Sequence, residues 1–185
     1  MMVNYEAHPP ILWKSFTIVF HLGFFWENHR IPDDTIVGIY TDDTQVDLCG
    51  HNRFSISVIG MDLAVQIFDP TRSCYQKNKE QVDEVVFKDF WLQNNDIWKF
   101  VAIGYDAELH TLTAYGENGF FQRHFSIDIP SKPTAMITLG NSHRNGKTYK
   151  MTHDTAISCL TVYGTVLNWE ALLRIQCACN LNANQ

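Results

Sequence analysis

The sequence predicts an all-β protein, a two-sheet antiparallel β-sandwich with one short C-terminal helix. Short β-rich runs recur along the chain, separated by polar turns. Aromatic residues make up 13% of the chain, with 12 Phe, 7 Tyr and 5 Trp, and flat rings suit a pleated sheet face. A helical period occurs in a single segment near the C-terminal end.

The strands follow in order. Residues 16–22 (FTIVFHL), 35–40 (TIVGIY), 53–59 (RFSISVI) and 63–68 (LAVQIF) are the first four runs. Phe54, Ile56 and Val58 alternate with Ser55 and Ser57, and Leu63, Val65 and Ile67 alternate in the next run. Gly60-Met61-Asp62 between them reads as a hairpin turn. Residues 85–87, 97–105, 109–115, 120–127, 135–139 and 156–163 continue the series, with turns at 106–108 and 116–119. About ten strands at this spacing suit a sandwich or a barrel rather than βαβ units. Trp98, Val101, Ile103, Phe54, Ile56, Val58, Val65 and Ile67 fall on the apolar phases and are the expected core. The helix is expected over 168–177, with Asn168 as its cap and Trp169, Leu172, Leu173 and Gln176 as its apolar stripe. Residues 69–83 and 140–154 read as long loops.

At 185 residues, with 45% hydrophobic and 18% charged residues, the chain fits one domain that folds without a metal or disulfide staple. The net charge of −6 and the scattered Lys and Arg exclude a nucleic-acid partner. No apolar run is long enough for membrane insertion. The N-terminus lacks the pattern of a signal peptide, so the expectation is an intracellular protein or a piece of a longer chain. Five cysteines (Cys49, Cys74, Cys159, Cys177 and Cys179) leave at least one unpaired within the chain.

Several motifs invite chemistry and do not sustain it. GNSHRNGKT at 140–148 has five residues between its first Gly and the Gly-Lys pair, where a phosphate cradle needs four; it reads as a surface loop. Asp42, Asp43 and Asp47 are weak candidates for a metal site, the plainer reading being a solvated turn. Glu80, Asp83 and Glu84 do not alternate along a strand face, so no paired-carboxylate hydrolase site is expected. G-x-S-x-G and H-E-x-x-H are absent, and no two histidines share H-x-x-x-H spacing. Cys177 and Cys179 would sit about 200° apart on a helix, which excludes a shared metal. Each is expected to have its own partner, in Cys159 or in another chain. Trp26 and Trp91 lie near strand ends, where an exposed ring could stack on a sugar, against the competing reading of core burial.

Four segments in order resemble the laminin-G and pentraxin domains of the concanavalin A-like superfamily. FTIVFHL is similar to that family's opening strand. TIVGIYTDD with RFSISVIGMDLAVQIF resembles its strand, loop and hairpin. Residues 98–106 (WKFVAIGYD) resemble its W-x-x-V-A-x-x-Y-D strand. AMITLG followed by ISCLTVYGTVLNWEALLRI resembles its closing strands and helix. The resemblance covers residues 16–176 and implies a jelly-roll sandwich spanning 1–185 as a single domain. The family's disulfide would fall near Val19 and residues 98–100, where there is no Cys. The family's calcium ligands follow the L-G strand, where this chain has Asn141, Ser142, His143 and Arg144. These are too poor in carboxylate for calcium. Asn141, His143 and Arg144 remain candidates for ligand binding.

The expectation is therefore a non-catalytic binding module with no cofactor: a protein-interaction or adhesion domain of a larger protein or, alternatively, a calcium-independent lectin-like domain. The partner would be a protein or a glycan, and an intermolecular disulfide or homo-oligomer would use the odd cysteine. An extracellular or cell-surface fragment is expected, with an intracellular scaffold as the alternative.

Overall fold

The computed structural model describes residues 3–7, 15–24, 34–41, 54–59, 62–68, 82–90, 98–125, 135–139, 141–144, 147–150 and 155–180. The first seven strands are β1 (Val3–Ala7), β2 (Ser15–Phe24), β3 (Asp34–Thr41), β4 (Phe54–Ile59), β5 (Asp62–Phe68), β6 (Val82–Phe87) and β7 (Trp98–Asp106). They are followed by β8 (Thr111–Gly116), β9 (Gly119–His124), β10 (Ala135–Leu139), β11 (Asn141–Arg144), β12 (Lys147–Lys150), β13 (Thr155–Tyr163) and the helix α1 (Trp169–Asn180). A six-stranded sheet has the order β1-β10-β3-β4-β5-β6, and a five-stranded sheet has the order β13-β2-β7-β8-β9. Every pairing is antiparallel. This is the two-sheet antiparallel sandwich expected from the strand pattern, with the jelly-roll architecture that the family resemblance implied.

The centre of the five-stranded sheet is the β2–β7 pair, in register from Ser15↔Asp106 to Gly23↔Trp98. Both strands read as near-continuous apolar runs, the mark of strands covered on two faces. Along β7 every residue from Lys99 to Tyr105 is buried. On the inner face Phe16, Ile18, Phe20, Leu22, Val101, Ile103 and Tyr105 pack with Ile56, Leu63, Val65, Val85 and Phe87 of the other sheet. On the outer face Val19, Phe100, Ala102 and Tyr115 pack under Leu172 of α1. Lys99, in the inner phase, is 5% exposed, and its Nζ donates to Glu117 Oε2 at 2.9 Å. A buried ammonium needs such a carboxylate to offset lost hydration.

Val101, Ile103, Ile56 and Val65 are in the core as expected, whereas Trp98 is only half-buried. Phe54 and Val58 pair with Ile67 and Leu63, but the Phe54, Val58 and Ile67 side chains lie outside what is described. Asp62, expected in the turn, belongs to β5 and pairs with Ile59; Gly60 and Met61 lie outside the described residues. Asp62 also anchors the end of β6, accepting from Lys88 Nζ and, at 3.0 Å, from the Asp89 N–H. Leu109 and His110 belong to a turn, not to the strand, because Asp106 Oδ1 captures the Glu108 and Leu109 N–H groups at 3.0 and 3.1 Å.

The stretch 140–154 is not simply a loop. It contains the β11–β12 hairpin, in register from Asn141↔Lys150 to Arg144↔Lys147. Asn145-Gly146 separates the strands, a dipeptide that favours two-residue hairpin connections, and this signal outweighs the polar composition. β1 was not anticipated, although its VNYEA alternates with period two. Of the other expected loop, residues 69–81 lie outside the described residues and 82–83 open β6.

The helix is capped as its sequence indicates. Asn168 Oδ1 accepts from the Ala171 N–H at 2.9 Å, and the Leu172 N–H bonds Asn168 O at 3.1 Å. The expected stripe needs correction. Leu172 is fully buried and Ile175 packs beside it, but Trp169 and Leu173 are 45% and 39% exposed. α1 lies on a patch of one sheet, so one narrow line of side chains is enough to hold it.

Candidate functional site

The outer face of the five-stranded sheet carries an aromatic cluster where β8, β9 and α1 meet. Tyr115 lies in register with Ala102 on one side and Phe120 on the other. Its ring sits 4.8 Å from Phe120, and it stacks on Trp169 at 5.8 Å with an interplanar angle of 23°. Tyr115 is buried at 7% exposure, while Phe120 is 52% exposed and Trp169 45%. A near-parallel stack covers one indole face, so the exposure of Trp169 falls on the rest of the ring. Burial pushes the Tyr115 phenol up, so it is neutral at physiological pH.

The surroundings are mixed. Leu173 follows Trp169 by one helical turn and is also exposed. Gln122 shares the strand phase of Phe120 and is exposed, as is Glu170 in the first turn of α1. Asn118, at the β8–β9 turn, donates from Nδ2 to Asp89 O at 2.6 Å and ties this turn to the segment after β6. Exposed rings beside polar groups make this cluster the candidate site.

The residues expected to form the site are not those that gather here. Trp26 and Trp91 lie outside the described residues, as do Asp42, Asp43 and Asp47. Asn141, His143 and Arg144 lie on β11, paired with Lys150, Thr148 and Lys147 of β12. Among the described residues no group of His, Cys, Asp and Glu could hold a metal ion. Cys159 and Cys177 are free thiols, so the Cys159–Cys177 pairing is not made; Cys49 and Cys74 lie outside the described residues. Among the described residues, no helix is long and apolar enough to cross a membrane.

Sequence reasoning missed Trp169 and Phe120. Helical spacing after the cap puts Trp169 on the apolar stripe. Phe120 falls within a strand whose outer-edge position is set only by the order of strands. The one local signal was Trp169 at the first helical position, where few sheet contacts can reach it.

No family model matches the sequence, and no curated protein matches it. Several solved structures share the fold. The binding domain of botulinum neurotoxin DC in complex with SialylT has a TM-score of 0.60 at 14% identity, over 95% of this chain and 39% of that chain. The serotype D ligand-binding domain in complex with N-acetylneuraminic acid has 0.59 at 11% identity, over 95% and 39%. The CBM40 of Ruminococcus gnavus IT-sialidase bound to alpha2,3 sialyllactose has 0.58 at 12% identity, over 88% of this chain and 82% of that one. The chain thus spans about two-fifths of the neurotoxin chains and most of the CBM40. At such identities the likeness is one of fold: this chain is a jelly-roll sandwich of the architecture found in those binding domains.

Proposed function

We propose that this chain is a single-domain, non-catalytic carbohydrate-binding module that works without calcium, and that Trp169 and Phe120 form its sugar platform. The observation that carries the reading is the half-exposed Trp169 ring stacked on buried Tyr115 beside exposed Phe120. A sugar presents patches of C–H to one side and hydroxyls at its rim. A flat, rigid ring covers the C–H patch at little entropic cost, and nearby amide and carboxylate groups such as Gln122 and Glu170 meet the hydroxyls. The folds named above include domains bound to sialyllactose and N-acetylneuraminic acid, which supports the carbohydrate reading over a protein-interaction or adhesion domain. A laminin-G or pentraxin-like ancestry and an extracellular or cell-surface location belong to the same proposal.

The test is a glycan array followed by titration of the best ligand in chelator. Truncating a central aromatic anchor costs about 2 kcal/mol or more, so Trp169→Ala should weaken binding by roughly thirty-fold. Phe120→Ala should weaken it less, and Leu109→Ala, an exposed residue on the β7–β8 turn, should not change it. Array silence, or glycan binding untouched by Trp169→Ala, defeats the proposal. A protein captured equally well by wild type and Trp169→Ala would return the domain to the interaction class.

A further inference from the structure

Trp169 buries only about half its surface, so its stack on Tyr115 depends on where the backbone places it. Its position is set by the backbone that leads into α1. After Tyr163, which pairs with Thr17, the chain leaves β13 and crosses the outer face of the five-stranded sheet. There the Thr17 side chain makes two bonds to it. Thr17 Oγ1 donates to Thr165 O at 2.8 Å and accepts from the Leu167 N–H at 2.9 Å. Thr17 is 0% exposed, although it lies about 150 residues away in sequence.

The neighbouring strands complete the seat. Gly104 is the register partner of Thr17 on β7, and Thr113 is the partner of Gly104 on β8. A Cβ on Gly104 would lie 2.5 Å from Thr113 Oγ1 and 3.5 Å from Val166 Cγ1. The row Thr17–Gly104–Thr113 is therefore low enough for the crossing segment to lie directly on the sheet. Asn168 then caps α1, and Trp169 is the next residue. With the backbone held at 165 and 167 and capped at 168, about 3.8 Å of chain per residue fixes where the Trp169 Cα sits over the sheet, within reach of Tyr115.

We propose that Thr17 is the positioning residue of the Trp169 platform: its hydroxyl, through the 165–167 segment, holds the indole against Tyr115. The inference rests on the carbohydrate reading only for its consequence, not for its geometry. Thr17→Val keeps the shape and the strand preference but removes both bonds, and leaves the Leu167 N–H and Thr165 C=O without their side-chain partner. Thr17→Ser keeps the hydroxyl.

The experiment reads the Trp169 indole N–H resonance in the full chain without ligand, assigned by its loss in Trp169→Phe. Tyr115→Leu supplies the reference position without the stacked ring. Thr17→Val should move the resonance towards that reference, and Thr17→Ser should leave it at the wild-type position. If Thr17→Val does not fold, Thr17→Ala removes the same hydroxyl without placing a second methyl under the segment, and should move the resonance in the same direction. A Thr17→Val resonance that stays in place, or a Thr17→Ser resonance displaced as far as that of Thr17→Val, overturns the inference. A Thr17→Ala resonance that stays in place, where it is the variant used, does the same. The second arm titrates 3′-sialyllactose. If wild type binds it, Thr17→Val should weaken binding about tenfold and Thr17→Ser should not; equal affinity of Thr17→Val and wild type counts against the inference. Failure of wild type to bind counts against the carbohydrate reading alone, because the indole shift still decides the role of Thr17.

Discussion

Gly116 closes β8 and pairs with Gly119 across the turn, yet the two glycines serve different ends. Gly119 has φ +114, where an L side chain is strained, and a Cβ there would meet open space. Gly116 is needed for room. A Cβ on it would lie 2.6 Å from Phe90 Cζ and 2.8 Å from Cε1. Phe90 is fully buried, with its ring 5.7 Å from Phe121 and 6.4 Å from Phe87, so it has no free direction in which to swing. Restoring ordinary contact requires a shift of about 1 Å in a close-packed interior, which costs about 2–3 kcal/mol. The lost unfolded-state freedom of Gly offsets about 0.5–1 kcal/mol of this. Gly116→Ala should therefore destabilise the fold by about 1–2.5 kcal/mol and lower Tm by about 2–10 °C in a chain of this size. Calorimetry and urea unfolding measure both. Phe90→Leu removes the clashing ring atoms, so in that background the same glycine change should cost at least about 1 kcal/mol less. A wild-type Tm for Gly116→Ala, or an equal loss in both backgrounds, would refute the packing account.

Leu172→Ala empties a fully buried position of α1; a loss of about 2–3 kcal/mol, in the lower part of the usual range because the site lies near the surface, is expected from urea unfolding, with a blue-shifted or quenched Trp169 counting against the docking of α1 on the sheet. Burial pushes the Asp62 carboxyl up, but the Lys88 hydrogen bond, the Asp89 N–H and the Lys88 charge together hold it below its ordinary value. Its contribution should then be present above about pH 4 and be lost as pH falls through the lowered folded value, so the Tm gap between wild type and Asp62→Ala should narrow in acid; a gap that widens would reverse the sign. Melting in millimolar calcium and in chelator should give the same Tm, whereas a rise of several degrees abolished by Asp43→Ala would establish a calcium site.

Local periodicity determined much of this protein. Alternation at 54–58 and 63–67 predicted a hairpin that the register confirms, and the 135–139 strand falls on its expected bounds. Asn168 was legible as a cap because capping is an interaction with residues two and three positions ahead. The near-continuous apolar runs of β2 and β7 already required two buried faces. Sequence could not say what covers the second face. That cover is Leu172 of α1, brought there by a strand order in which β13 borders β2. The same order sets Phe120 on an edge strand beside Tyr115 and leaves Trp169 half-exposed, so a residue that belongs to an apolar stripe by spacing becomes a surface ring by packing. Thr17 is the plainest case: within FTIVFHL it is an unremarkable strand residue, and only the return of the chain some 150 residues later gives its hydroxyl two partners. Propensity and capping act over a few residues, so the sequence displays them; pairings between distant segments depend on which surfaces fit once the sheets form, and the tertiary structure alone decides them.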